Sequence, residues 1–161
     1  MILDRQHLSI NIDRFLVRLL QPLYDHYAAK QTFHDGADAL NAVQEYSRNG
    51  HLQLNTFFVT LHIHHLSASI PYEHMYASLQ RFLAENHCYE RMDGVTIPSA
   101  LHLARLCLEQ RYLLYGHKVY QQIKGGAFNS ALNMLLANIY LYYWQQDLVT
   151  TLKENNEIFG R

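Results

Sequence analysis

The sequence predicts an all-α protein, a single-domain bundle of five or six helices, and three observations carry that prediction. Pro and Gly are sparse, 3 and 7 in 161 residues, and most fall between segments whose apolar residues recur at helical spacing. The stripes Phe15, Leu16, Leu19, Leu20, Leu23, Tyr27 and Leu132, Leu135, Leu136, Ile139, Tyr143 follow the three-and-four spacing of one helix face. Only one segment is strand-like in composition, and nothing comparable stands elsewhere to pair with it.

The first helix is expected over about Ile12 to Lys30, with Pro22 kinking it or splitting it in two. The second follows the Asp35-Gly36 turn, covers about Ala37 to Arg48 with Leu40, Val43 and Tyr46 inward, and ends at Asn49-Gly50. The strand-like segment, LNTFFVTLHIHHL from Leu54 to Leu66, is assigned to a third helix because no partner strand is evident. A fourth begins at Pro71 behind a Ser69 cap and runs to about His87, with Met75, Leu79, Phe82 and Leu83 inward. YERMDGV makes a loop. Thr96 caps a fifth helix with Pro98 at its second position, where a missing N–H costs nothing. Leu101, Ala104, Leu108, Tyr112 and Tyr115 form its stripe, and it pauses at Gly116 or continues to Ile123. The last helix, from Ala127 to Leu148, is apolar on nearly every side, so it belongs at the centre of the bundle beside the fifth. The domain spans 1–161, with a short tail fraying from about 153.

Composition narrows the function classes. The 13 Lys and Arg against 14 Asp and Glu give a formal charge of −1, so no global positive field gathers nucleic acid or an anionic membrane. Charged residues make up 17%, below the roughly 25% of soluble domains, whereas 12 Tyr and 7 Phe are present. A weakly charged, Tyr-rich surface favours association with protein. Cys88 and Cys107 form no CxxC pattern and too small a set for a disulfide framework, which indicates a reducing, cytoplasmic setting and buried thiols. The N-terminus lacks the pattern of a secretory signal. No run supplies the ~18 to 20 uninterrupted apolar residues of a membrane span, because Asn129, Asn133 and Asn138 interrupt the best candidate.

Three constellations could carry function. The first is the aromatic surface of the last helix, Phe128, Tyr140, Tyr142, Tyr143 and Trp144, which would serve a non-enzymatic adaptor or regulatory protein that binds protein, itself included, as a homo-oligomer without a cofactor. The alternative is that these rings fill the core. The second is histidine: of eleven, only HIHH clusters, and on a helix His62 and His65 share a face, leaving any metal short of ligands. His87, Cys88 and Glu90, in the loop after the fourth helix, are the donors that could complete such a site, and nothing in the sequence fixes their distance to His62.

The third is RYLLYGH, Arg111 to His117, which resembles the Arg and following His of HEPN ribonucleases. The resemblance implies a dimer in which Arg111 and His117 of two protomers form a composite site that cleaves RNA without metal. Tyr112 departs from the polar residue common in that family. On an unbroken helix the two side chains are rotated by about 240°, so they converge only if Gly116 opens the turn. More loosely, Gly126, Phe128, Ala131 and Leu132 resemble the second helix of a tetratricopeptide hairpin, but no companion repeat follows at the roughly 34-residue period, so no repeat family is assigned. Walker, GxGxxG, GxSxG and HExxH patterns are absent. Arg105, Arg111, Lys118 and Lys124 interleave with Tyr112, Tyr115 and Tyr120 as a single-strand nucleic-acid contact does, and overall neutrality argues against that use.

Overall fold

The computed structural model of the chain describes residues 10–86, 91–109, 112–122 and 130–161. Among them are seven α-helices, one 3-10 turn and two short antiparallel hairpins. Helix α1, Ile10–Ala28, continues into the 3-10 turn Ala29–Gln31. Pro22 lies inside α1 without splitting it. The residue is exposed, so the carbonyl deprived of its helical partner lies on a side that water reaches. Helix α2, Gly36–Arg48, starts where Asp35 accepts from the backbone N–H of Ala37 and Asp38 at 2.8 and 2.9 Å. Its single buried residue is Tyr46, while Leu40, expected inward, is exposed.

The third helix expected from Leu54 to Leu66 does not form. Residues 51–65 carry no helix, and α3 is only the four residues Leu66–Ser69. Phe57, Phe58, Val59 and Ile63 are poor helix formers because their side chains lose rotamer freedom against the preceding turn. Neither stripe of the segment is received by the core, so burial does not compensate.

Helix α4, Tyr72–Asn86, buries the four residues its spacing indicates, Met75, Leu79, Phe82 and Leu83. Strands β1, Arg91–Met92, and β2, Val95–Thr96, pair around Asp93-Gly94 where only a loop was expected. Both turn residues have positive φ, 45° and 81°, as a tight hairpin turn requires. Thr96 Oγ1 then accepts from the Ser99 N–H at 3.3 Å and caps α5, Ile97–Glu109, with Pro98 at the second position.

Helix α5 ends at Glu109 rather than carrying Tyr112 and Tyr115 on its stripe. Those residues bound strand β3, Tyr112–Tyr115, which pairs with β4, Lys118–Gln121, in the register Tyr112↔Gln121 to Tyr115↔Lys118. Gly116 and His117 at φ 56° and 64° make the turn, and consecutive positive φ values match the strand twist. Helix α6, Ala131–Trp144, is capped by Ser130, whose hydroxyl accepts from the Asn133 N–H and donates to Asp13 of α1 at 3.0 Å. Helix α7 is Gln146–Glu154.

Four helices make the bundle. Each of α1 and α4 packs against both α5 and α6, so the two most apolar helices lie diagonally across one core. Leu16, Leu20, Phe82, Leu83, Ala104, Leu132, Leu136 and Ile139 are closed to solvent within it. The segment after α7, where fraying was expected, folds back: Tyr46 donates to Glu157 at 2.6 Å, and Arg161 and the Gln31–Phe33 backbone exchange bonds of 3.0 and 2.9 Å. Gln145 Nε2 donates to Gln31 Oε1 at 2.8 Å in a buried pair that ties the end of the 3-10 turn to the α6–α7 junction. No helix among the described residues is long and apolar enough to cross a membrane.

Two stability changes follow from this packing. Leu136→Ala opens a cavity at a fully buried position and is expected to cost about 3 to 5 kcal/mol in urea unfolding. Gln145→Ala strands the buried Gln31 amide and is expected to cost about 1 to 3 kcal/mol, with the Gln31→Ala/Gln145→Ala pair costing less than the two single changes added together.

Candidate functional site

The aromatics of α6 divide between core and surface according to helical position. Tyr140, Tyr142 and Tyr143 are half-buried and packed on the core, Tyr142 meeting Phe82 edge to face at 6.2 Å. Tyr140 stacks on His74 at 6.3 Å. Trp144, at the last turn, is 63% exposed. Phe128 lies outside the described residues.

Tyr143 closes a small polar cluster with α4. Its hydroxyl donates to Glu85 Oε2 at 2.8 Å, Arg81 Nε donates to Glu85 Oε1 at 2.7 Å, and the Arg81 guanidinium lies 4.2 Å over the Tyr143 ring. Arg81 and then Tyr143 hold the Glu85 carboxyl below the usual carboxylate range, and burial followed by the Glu85 contact pushes the Tyr143 phenol well above its own. All three groups are satisfied by one another, which describes a clasp between α4 and α6.

The histidine cluster is arranged differently from the helical expectation. His62 pairs with His64, ring centroids 4.5 Å apart and perpendicular, whereas His65 takes the left-handed conformation at φ 51° just before α3. Residues two apart share a face only in extended chain, so this pairing is what loss of the helix produces. Among the described residues no group of three or more His, Cys, Asp or Glu is placed to hold a metal ion. His87, Cys88 and Glu90 lie outside the described residues.

His117 sits exposed in the turn of the β3–β4 hairpin. Gly116 does open the chain there, into a hairpin rather than a helix break; Arg111 lies outside the described residues. Of the basic group, Arg105 is engaged with Glu109 at 2.6 Å, and Lys118 is exposed on β4. A cleft of about 400 Å³ gathers Tyr24, Asp25, His34, Asn138 and Arg161. Its polar groups are turned on each other: Arg161 bonds the Tyr24 hydroxyl and the Asn138 carbonyl, and Asp25 accepts from Gln21 at 2.7 Å. Burial pushes the Tyr24 phenol up and the Arg161 guanidinium down.

The feature that sequence reasoning misplaced is the segment before α3. Leu54 at 110%, Phe57 at 87% and Leu61 at 78% are the most exposed large apolar residues described, and Phe58, Val59 and Ile63 are exposed beside them. No Asp, Glu, Lys or Arg occurs between Arg48 and Glu73. From Phe57 to His64 no backbone group is hydrogen-bonded to another described residue. The signal that could have found it is the alternation Phe57, Val59, Leu61, Ile63 against Phe58, Thr60, His62, His64, which has the period of a strand.

The chain matches no family model, no curated protein and no solved structure.

The clasp gives the stability a pH dependence with a definite sign. Glu85, whose folded-state acidity is strengthened, contributes above the carboxylate range near pH ~4, and that contribution is lost as pH falls through it. Tyr143, whose phenol is held protonated, contributes below pH ~10 and loses its contribution at higher pH. In urea unfolding from pH 3 to 11, Tyr143→Phe is therefore expected to flatten the alkaline limb and to reduce part of the acid limb.

Proposed function

We propose that this chain is a non-enzymatic protein-binding module, an adaptor or regulator that also associates with itself, and that its binding element is the exposed apolar segment 54–63. One observation carries the reading. A bundle that buries its large apolar helix faces efficiently leaves six large apolar side chains, Leu54, Phe57, Phe58, Val59, Leu61 and Ile63, in solvent on one uncharged stretch. Aromatic and aliphatic anchors held free of charged neighbours are the chemistry of an interface centre, where charged side chains are depleted. Trp144 adds an exposed aromatic at the end of α6, so the C-terminal surface expected from the sequence retains one anchor.

The test is photo-crosslinking. A photoreactive phenylalanine analogue at Phe58 is expected to give one discrete protein adduct in the producing cell, and Phe57→Asp/Leu61→Asp is expected to remove that adduct while the circular dichroism stays helical. No adduct, or a diffuse smear insensitive to the two charges, contradicts the reading.

A further inference from the structure

We infer that a second copy of this chain occupies the exposed segment, pairing residues 57–63 of the two copies as antiparallel strands about a two-fold axis through Thr60. This deepens the protein-binding reading and rests on it. The residues themselves dictate the register. Directly opposed residues of an antiparallel pair lie on the same face, so a two-fold pair keeps the apolar set together only when the paired residue numbers sum to an even value. Of those registers, the one centred on Thr60 alone matches all four apolar residues to one another, Phe57 with Ile63 and Val59 with Leu61. On the other face it sets Phe58 opposite His62 and Thr60 opposite Thr60. Aromatic with β-branched residues and Thr with Thr are among the pairs that stabilise a ladder.

The structure supplies what such pairing needs. The N–H and C=O groups from Phe57 to His64 are unbonded among the described residues, which leaves the segment's donors and acceptors open to a pairing strand. The His62 and His64 rings already lie together on one side, as alternation requires. The charged or Pro gatekeepers that proteins place on exposed strands are missing from this stretch. The five exposed side chains within 57–63, at roughly 200 Å² apiece when fully open, offer about 700 Å² of apolar surface per copy, near the roughly 800 Å² that each partner contributes to a stable interface once a second ribbon covers the paired face. The contact is isologous and closes at two copies, and the paired apolar faces of two such ribbons cover each other in a tetramer.

Sedimentation velocity across protein concentration, with Thr60→Pro and Thr60→Cys variants, tests the pairing. Wild type is expected to form dimers or tetramers. Thr60→Pro fixes φ at about −65° and sets two rings against each other at the two-fold axis, at a position without intramolecular bonds, so it is expected to stay helical and to weaken association by about 100-fold or more. Val59→Lys serves as the second interfering variant. Mild oxidation of Thr60→Cys is expected to give a dimer whose disulfide maps by mass spectrometry to position 60 in both chains, whereas Phe57→Cys alone gives none. A wild type monomeric at every concentration, or an oligomer indifferent to both Thr60→Pro and Val59→Lys, overturns the pairing. The Phe58 photo-crosslink separates the two claims: an adduct with a different protein then keeps the binding reading and discards the second copy, and no adduct discards both.

Discussion

Helix α6 has to be enclosed, and the rest of the molecule is arranged around that requirement. Leu132, Leu135, Leu136, Ala137 and Ile139 are buried and span more than one face, so a single neighbouring helix cannot cover them. α1 and α4 do so from two sides, and α5 completes the ring by packing on both. The start of α6 is fixed by Ser130, which caps the helix and at the same time grips Asp13 of α1. Its end is fixed by the buried Gln31–Gln145 bond and by the clasp of Tyr143 with Glu85 and Arg81. Polar contacts thus set the ends of a helix whose body is held by apolar packing.

Enclosure of α6 by α1, α4 and α5 also explains why the segment before α3 stays outside. The bundle's core is filled by α1, α4, α5 and α6, with α3 contributing Leu66 at its edge. Residues 54–63 have no face of the core left to meet, and their β-branched and aromatic side chains give an isolated helix little support. What remains is chain without helix or strand and with apolar side chains in water, a state whose free energy falls when a partner supplies hydrogen bonds and cover.

Much of the bundle is readable from the sequence because its signals are local. Met75, Leu79, Phe82 and Leu83 recur at three and four residues and point inward; Asp35 and Thr96 precede helices and cap them. The hairpins leave a fainter mark. Asp93-Gly94 is a strong two-residue turn signal, and Gly116-His117 took the same positive-φ geometry, but strands of two and four residues leave almost no periodic pattern beside it. The candidate binding segment was misread for a different reason. Phe57, Val59, Leu61 and Ile63 alternate as a strand does, but the chain offers no second strand-like run to pair with them. A partner supplied by a second copy leaves no trace in the chain beyond its symmetry about Thr60. The fate of Tyr140, Tyr142 and Tyr143, by contrast, depends on which helices surround α6, and periodicity cannot say that.

Backbone hydrogen exchange, followed segment by segment at low and high protein concentration, tests this account most directly. Amides of α6 from Leu135 to Ile139 are expected to exchange only through global unfolding, at a rate independent of concentration. Amides from Phe57 to Ile63 are expected to exchange almost as fast as in unfolded chain when dilute, and to become protected as concentration rises. Protection of that segment at every dilution, or fast exchange at every concentration, contradicts the account.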